Sequence, residues 1–313
     1  RLVTGTLEAY LELEQRIATW KGTEAAMLLG AGYMANIGLI AALADRNAVI
    51  FADKLNHASL NAGCQLSGAR FVRFRHNDFV HLAEMLARHA DATVKIIVCD
   101  TVFSMDGDTT DPQRLQELAR NYDALLYLDD AHATGVYGQR GEGLGCGGAA
   151  QVVMSTFSKA MGSYGSCAVC SMEMKEYFVN RCGAFIYSTA MPPGVCGAIS
   201  AAVKLVQSEE CMVARQELHR RAQWLRDELR TAGLDTSDSI TQIVPVLVGE
   251  SENALLASQF LQENGILAVA IRPPTVPRGT ARLRISLNAA HTDRDIEYLA
   301  TMLKKAVQSK IRG

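Results

Sequence analysis

The chain has 313 residues, 49% of them hydrophobic and 20% charged, a composition typical of a globular protein with a sizeable core. Its 31 Lys and Arg residues nearly balance 33 Asp and Glu residues, so no strong field favours nucleic acid or an anionic membrane as a partner. No apolar run reaches the roughly 18 residues of a membrane span, and no secretory signal is recognisable. We therefore expect a cytoplasmic protein that acts on small molecules.

Strands and helices are predicted to alternate through the first two thirds of the chain. Apolar, β-branched runs predict strands at 47–53, 69–74, 94–103, 124–130, 151–158 and 166–172. Helical patterns cover 2–20, 34–44, 78–89 and 112–122. Strands that are apolar on both faces and separated by helices indicate a parallel α/β sheet.

The pattern changes after the segment "MPPG". A long helical stretch is predicted over 195–232, followed by strands at 242–249, 266–274 and 281–288, a helix at 252–264 and a closing helix from about 292. We expect a large domain over 1–206 and a smaller C-terminal α/β domain over 207–313. Because the chain begins at Arg1 within a helical pattern, we also expect a trimmed start.

In an open parallel sheet, ligands bind beyond the carboxyl ends of the strands. In the segment "LLGAGYMAN", Gly30 and Gly32 end an apolar run and open a helix. Glycine lets backbone N–H groups approach an anion, and a helix N-terminus favours negative charge. A glycine loop without a ligand explains this segment, taken alone, equally well.

Three further segments place polar side chains at the end of a strand. These residues are Asp100, Ser104 and Asp106; Asp129, Asp130 and His132; and Lys159. An acid shortly before a histidine fits a metal pair, part of a catalytic triad, a cofactor clamp or a polar strand end without a ligand. A lysine at the end of a buried strand is costly unless it is neutral or paired, so we expect Lys159 to be desolvated.

Together the four segments supply the parts that hold pyridoxal phosphate (PLP): a phosphate cradle, a carboxylate, a histidine and a desolvated lysine. Such a lysine loses its proton readily and can act as nucleophile and base. A carboxylate keeps the pyridine nitrogen of the cofactor protonated, so that the ring accepts electrons from the substrate. The order of the segments favours a PLP enzyme without a metal.

With Lys159, Asp129 and His132 in these positions, the chain resembles the α-oxoamine synthase family of class II, fold-type I PLP-dependent transferases. The stretch "TFSKAMG" resembles the lysine signature of the family and "DDAHATG" its aspartate and histidine signature; "FSMDGD" and "LNHASL" match further segments. The stretches "FIYSTAMPP" and "AIRPPTVPRGTARLRISL" are similar to the members that work in biotin biosynthesis. The resemblance covers nearly the whole chain.

The resemblance implies the fold-type I fold, with a mostly parallel central sheet flanked by helices and a smaller C-terminal α/β domain. The implied activity is that of an acyltransferase. It condenses L-alanine with a pimeloyl thioester of coenzyme A (CoA) or an acyl carrier protein, and releases carbon dioxide and thiol to give 8-amino-7-oxononanoate. The resemblance also implies a homodimer with shared active sites.

The resemblance assigns a role to each matching residue. Lys159 would bind the cofactor covalently and then act as base, and Asp129 would pair with the pyridine nitrogen. His132 and Ser104 would contact the phenolic oxygen of the ring, and His57 would stack on its face. The phosphate contacts would be Gly32, Tyr33, Thr156 and, from the neighbouring subunit, Ser188 and Thr189. The substrate contacts would be Arg284, which binds the amino acid carboxylate, and Thr275.

The chain departs from the family at two points. Asp100 stands where a glutamate is usual, and several dozen residues that normally precede the position of Arg1 are absent. Two other functions stay open. One is a family member that takes glycine with a short acyl thioester, and the other is a non-catalytic regulatory protein with the same fold.

Three other motifs are interpreted as structural. The run "GLGCGG" at 143–148 satisfies the dinucleotide fingerprint, but it leads into a strand instead of following one, which indicates a turn. The histidines of "RHNDFVHL" are expected to be solvated, because no carboxylate at a strand end is expected beside them. The eight cysteines, including the pair Cys167 and Cys170, are expected to be buried thiols.

Overall fold

The structure is a computed structural model that describes residues 1–311, with the side chains of residues 1–307. Residues 312 and 313, the end of the predicted second domain, lie outside the described residues. The chain divides into two compact units: residues 1–102 with 110–212, and residues 103–109 with the chain from Val213 onward. The boundary of independently folding domains between residues 206 and 207 stays a prediction.

The first unit is built on a seven-stranded sheet with the order β1-β7-β6-β5-β4-β2-β3. Its strands are β1 (Ala25–Leu29), β2 (Ala48–Asp53), β3 (Arg70–Phe74), β4 (Val94–Asp100), β5 (Leu125–Asp129), β6 (Val152–Thr156) and β7 (Ser166–Cys170). Only β7 runs against the others in this sheet, since it pairs antiparallel with both β6 and β1. The mostly parallel sheet predicted from the sequence is confirmed.

Helices cover both faces of this sheet because its strands are apolar on both faces. They are α1 (Glu8–Lys21), α2 (Gly32–Leu43), α3 (Ala58–Leu66), α4 (Phe79–Arg88), α5 (Pro112–Asn121), α6 (Met172–Arg181), α7 (Gly183–Ile186) and α8 (Pro193–Val206). Side chains alternate along each strand: Met27 joins the core that contains Leu39 of α2, and its neighbour Leu28 joins the core that contains Ile17 of α1. The sheet is thus sandwiched between two apolar layers.

The second unit contains a three-stranded antiparallel sheet. Its strands are β8 (Ile243–Gly249), β9 (Val269–Ile271) and β10 (Ala281–Ser286), in the order β8-β10-β9, and its helices are α10 (Ser251–Glu263) and α11 (Asp293–Ile311). The long helix α9 (Glu209–Thr231) begins in the first unit and continues into the second. A smaller α/β unit at this end of the chain agrees with the sequence prediction.

Some predicted boundaries are wrong. The first helix begins at Glu8 and not at Leu2, because Gly5 has a φ of 109°, which helical backbone cannot adopt. The helical stretch predicted over 195–232 is two helices, interrupted between Val206 and Glu209. Among the described residues, no helix is long and apolar enough to cross a membrane.

Candidate active site

Two carboxylates lie side by side where β4 and β5 end. Asp100 and Asp129 are register partners in these parallel strands, and both residues are buried. The backbone N–H of His57 donates to Oδ2 of Asp100 over 2.7 Å. The predicted cluster of polar residues at this edge of the sheet therefore includes Asp100, Asp129 and His57.

Asn36, on the first turns of α2, holds the Asp129 carboxylate. Its Nδ2 donates to Oδ2 of Asp129 over 2.7 Å and to Oγ of Ser59 over 2.8 Å, while its Oδ1 accepts from the Tyr127 hydroxyl over 2.7 Å. The N–H of Ala131 donates to the other Asp129 oxygen over 2.9 Å. Both oxygens of Asp129 thus accept a hydrogen bond from a fixed donor.

A hydrogen-bonded chain runs from this carboxylate to the His57 ring. Ser59 Oγ lies 2.7 Å from His57 Nδ1 and accepts from Asn36. The ring of Tyr33 meets the His57 ring edge-on at a centroid distance of 6.5 Å. The orientation of the His57 ring is therefore set by α2 and α3 together.

The charges of this cluster perturb each other. Burial raises the pKa of Asp129, and the positive charge of Lys159 and the hydrogen bonds from Asn36 and Ala131 lower it in part. Burial and the neighbouring Asp129 charge raise the pKa of Asp100 well above its ordinary value. Burial lowers the pKa of His57, Asp129 raises it and Lys159 lowers it. Lys159 thus lies close enough to act electrostatically on all three groups.

The expected desolvation of Lys159 is wrong. Residue 159 is exposed, in the segment that follows β6. The physical reason is its distance from the strand: β6 ends at Thr156, so the two residues after Phe157 have left the layer that the helices cover. Two lysines of this unit are buried: Lys21, at the end of α1, with an exposed fraction of 1%, and Lys95 of β4, with 8%.

The start of α2 has no side-chain cap. Ala31 at its N-cap provides no side-chain hydrogen bond, and the first N–H groups of a helix have no intrahelical acceptor. A Cβ atom added to Gly32 would lie 3.6 Å from Cβ and 3.7 Å from Oγ1 of Thr156, so the two predicted phosphate contacts are adjacent. Tyr33 follows on the same turn with its side chain half exposed.

The remaining predicted residues of the first unit lie near these elements in the chain. His132 is half-buried, three residues after the end of β5. Ser188 and Thr189 lie between α7 and α8, and with Gly30 they line a small pocket.

In the second unit, Arg284 of β10 meets the segment that carries Ser104. Its Nε donates to the Ser104 carbonyl over 2.5 Å, and its Nη1 donates to Ser286 Oγ over 2.6 Å. Burial lowers the pKa of Arg284. Arg282, two residues earlier, forms a 2.6 Å ion pair with Asp106. Thr275 is exposed in the turn before β10.

The family model described as aminotransferase class I and II matches residues 1–303. The chain belongs to this family. The 8-amino-7-oxononanoate synthase of Trichlorobacter lovleyi is 47% identical, over 97% of this chain and 79% of that protein. The enzyme of the same name from Geobacter sulfurreducens is 48% identical, over 95% of this chain and 77% of that protein.

Solved structures of this family are similar along almost the whole chain. The serine palmitoyltransferase from S. paucimobilis with bound PLP-myriocin aldimine has a TM-score of 0.93 and 30% identity, and the match covers 99% of this chain and 79% of that one. The 8-amino-7-oxononanoate synthase from Francisella tularensis has a TM-score of 0.85 and 25% identity, covering 98% and 89%. The predicted fold-type I fold of PLP-dependent enzymes is confirmed.

Within this family member, sequence reasoning missed the residues that support the predicted ones. Asn36 and Ser59 have no distinctive spacing, and only their contacts with Asp129 and His57 reveal them. The interpretation of "RHNDFVHL" is also wrong in one respect: His76 Nδ1 lies 2.9 Å from Oδ1 of Asp53, a buried carboxylate at the end of β2. Among the described residues, no group of three His, Cys, Asp or Glu side chains is arranged to hold a metal.

Proposed function

We propose that the chain is a PLP-dependent acyltransferase that condenses L-alanine with a pimeloyl thioester, giving 8-amino-7-oxononanoate, carbon dioxide and free thiol in biotin biosynthesis. The observation that carries this proposal is the pair of buried strand-end carboxylates, Asp100 and Asp129, with both Asp129 oxygens held by donors of the protein. The relatives at 47–48% identity support the choice of substrates. We further propose residues 1–206 as the cofactor-binding domain.

The residues at the sheet edge fit PLP. A phosphate requires N–H donors and positive potential, and the uncapped start of α2 offers both. Gly32 leaves open the space that a Cβ would fill beside Thr156. A protonated pyridine nitrogen requires a carboxylate partner, and Asp129 has both of its oxygens fixed by donors from the protein.

When bound, PLP supplies an electron-accepting ring that stabilises negative charge at the substrate Cα. Asp129 keeps a proton on the pyridine nitrogen. Its own ionisation is favoured by Asn36, Ala131 and Lys159, which oppose the effect of burial. His57 would stack on the ring face, and burial, which lowers its pKa, favours the neutral form of its ring there. His132 would contact the phenolic oxygen, and the resemblance assigns the same role to Ser104.

Lys159 would hold the cofactor covalently, and its freed amine would act as the base for the proton on the alanine Cα. The exposed position of Lys159 gives the side chain room to leave and return. Arg284 binds the alanine carboxylate, since a guanidinium matches a carboxylate with two parallel hydrogen bonds. Thr275 would line the substrate pocket. The acyl donor carries CoA or an acyl carrier protein as its thiol.

The proposed assembly is a homodimer in the cytoplasm in which Ser188 and Thr189 reach the phosphate of the partner. Several large apolar side chains of the first unit are exposed, and we assign six of them, between 47% and 78% exposed, to the proposed dimer interface. These side chains are Leu7, Leu11, Tyr33, Met34, Tyr164 and Tyr187. Mixing Lys159→Ala protomers with protomers that carry both Ser188→Ala and Thr189→Ala should restore activity if the sites are shared.

The test is an assay of the purified chain with PLP, L-alanine and pimeloyl-CoA, in which thiol and carbon dioxide release are measured. Both products are expected with alanine, and neither with Lys159→Ala. Lys204→Ala is the matched control, because Lys204 is an exposed lysine on α8. Activity with glycine and a short acyl thioester but not with alanine would overturn the substrate assignment. Binding of PLP without any turnover would favour a non-catalytic role.

A further inference from the structure

Lys21, the more deeply buried of the two buried lysines in the first unit, has no role in the chemistry proposed above. The ammonium of Lys21 donates to Thr134 Oγ1 over 2.8 Å, to the Glu142 carbonyl over 2.6 Å and to Ser155 Oγ over 2.9 Å. An ammonium has three donors, so these contacts satisfy it completely. Its fourth neighbour is the Asp130 carboxylate, at 3.7 Å, and both side chains are fully buried.

Asp130 is the residue next to Asp129, and its buried carboxylate accepts several hydrogen bonds. Oδ1 accepts from Thr101 Oγ1 over 2.7 Å and from the N–H groups of Leu144 and Gly145 over 3.1 Å each. A Cβ added to Gly143 would lie 1.7 Å from Oδ2. The run "GLGCGG" is thus a turn, as predicted, and its first residues bind the Asp130 carboxylate.

The peptide unit that joins Asp129 to Asp130 is also held at both ends. The Asp129 carbonyl accepts from the N–H of Thr101 over 2.9 Å, and the N–H of Asp130 donates to the Met154 carbonyl over 2.8 Å. Neighbouring side chains in extended backbone point to opposite faces. Asp129 is fixed by Asn36 of α2, and Asp130 by Lys21 of α1. The two carboxylates are thus carried by one hydrogen-bonded peptide unit and are held from different helices.

We propose that Lys21 is a positioning residue for Asp129: by holding Asp130 and the 143–145 turn, it fixes the carboxylate that faces the pyridine nitrogen of PLP. This inference rests on the proposed function. Stability alone is a weak reason for such a pair, because buried ion pairs are often replaced by apolar residues without loss. What distinguishes this pair is that α1, β6 and the loops after β5 converge on it, one residue from Asp129.

Loss of the contact is expected to displace the Asp129 carboxylate from the pyridine nitrogen. A displacement of about 1 Å from productive geometry costs on the order of 10²-fold in rate. For Lys21→Met we expect alanine Cα–H exchange to slow by at least roughly tenfold at saturating PLP. We also expect the pyridine nitrogen to lose its proton at lower pH than in the parent chain.

The experiment uses the full chain loaded with PLP that carries ¹⁵N in its ring. The ring-nitrogen shift is recorded against pH for the parent, for Lys21→Met and for Lys21→Met combined with Asp130→Asn. The double variant removes both buried charges, so we expect it to fold although the contact between residues 21 and 130 is still lost. Lys175→Met is the matched control: Lys175 also pairs with a buried carboxylate of the same unit, Glu14, over 2.7 Å.

The proposal holds if the PLP ring nitrogen loses its proton at lower pH in both Lys21 variants than in the parent, while in Lys175→Met it does so at the same pH as in the parent. A parent-like titration in the double variant overturns it, because Lys21 would then only neutralise Asp130. If neither Lys21 variant folds, Ser155→Ala decides by the same titration, since it removes one acceptor of Lys21 and keeps the ion pair with Asp130. A parent-like titration of the ring nitrogen in Ser155→Ala then overturns the proposal.

Amide exchange of cofactor-free chains separates this proposal from the proposed function. The N–H of Ala131 reports on the Asp129 carboxylate and should exchange faster in Lys21→Met than in Lys175→Met. Unchanged exchange refutes the positioning role even in a chain that binds PLP. If the parent chain does not bind PLP, the proposed function is refuted, but the amide exchange of the cofactor-free chains still tests the positioning role of Lys21.

Discussion

Replacing Asn36 by leucine, which has nearly the same shape, tests whether the Asp129 carboxylate depends on α2. Asn36 makes three buried hydrogen bonds, one to the Asp129 carboxylate and two to neutral hydroxyls. A bond to a charged group contributes about 1.5–3 kcal/mol and a neutral one about 1 kcal/mol. The substitution should therefore lower the free energy of unfolding by about 3–5 kcal/mol.

The same substitution should weaken PLP binding. Asn36 lowers the pKa of Asp129, so its removal disfavours the ionised carboxylate that pairs with the pyridine nitrogen. If the whole charged hydrogen bond is lost, the Kd for PLP rises about 10- to 100-fold. Urea denaturation of the cofactor-free chain measures the first effect, and an absorbance titration with PLP measures the second.

Tyr127→Phe is the control for this prediction. It removes one neutral hydrogen bond to the same Asn36 and leaves the contact with Asp129 intact. We expect a loss of about 1–2 kcal/mol in the free energy of unfolding and an unchanged Kd for PLP. The reasoning is refuted if Asn36→Leu and Tyr127→Phe have equal effects on both quantities.

Further predictions concern the lysine, the arginine, the second carboxylate and the thiols. Borohydride reduction of PLP-loaded Lys159→Ala should leave no covalent adduct, and an adduct at another lysine would contradict the assignment. Arg284→Lys should raise the KM for alanine roughly tenfold or more with a smaller change in kcat, because the bidentate contact is lost; an unchanged KM would remove Arg284 from the carboxylate site. Because burial and Asp129 raise the folded-state pKa of Asp100, its protonated form stabilises the fold at low pH and this contribution is lost as pH rises through that pKa. Asp100→Asn should therefore gain stability relative to the parent as pH increases above the ordinary aspartate range. Denaturation at several pH values measures this, and a difference in free energy of unfolding that does not change with pH would contradict it. Burial raises the pKa of Cys64, Cys167 and Cys170 to about 12, so alkylating reagents at pH 8 should modify these thiols only after denaturation, as mass spectrometry of labelled peptides would reveal.

The sheet of the first unit was predictable because most of its strands are short, continuous apolar runs in the sequence. Runs such as Val94–Asp100 are apolar on both faces, which only a covered parallel strand requires. The strand Ala25–Leu29 was not predicted, since five small and apolar residues before a glycine fit a helix end equally well. Helix α3 was missed because its sequence, "ASLNAGCQL", has a weak helical period and an internal glycine.

The candidate site was predictable where a residue type is chemically unusual at its position, as for Lys159 and Asp129. Their surroundings were not predictable. Burial of a lysine depends on which loops fold over it, and these are set by pairs such as Lys21 and Asp130, 109 positions apart. Asn36 and Asp129 are likewise 93 positions apart. No local period in the sequence records such pairs.

The turn that begins at Gly143 bears on how glycine-rich motifs are used to recognise nucleotide-binding proteins. Its amides face an anion, as they do in a dinucleotide site, but the anion is the Asp130 side chain of the same chain. A tethered carboxylate competes with any diffusing phosphate at a very high effective concentration, and a residue larger than glycine at 143 would strike it. A motif of this kind thus indicates a mononucleotide or dinucleotide ligand only when no acidic residue of the protein already accepts hydrogen bonds from the backbone N–H groups of the turn.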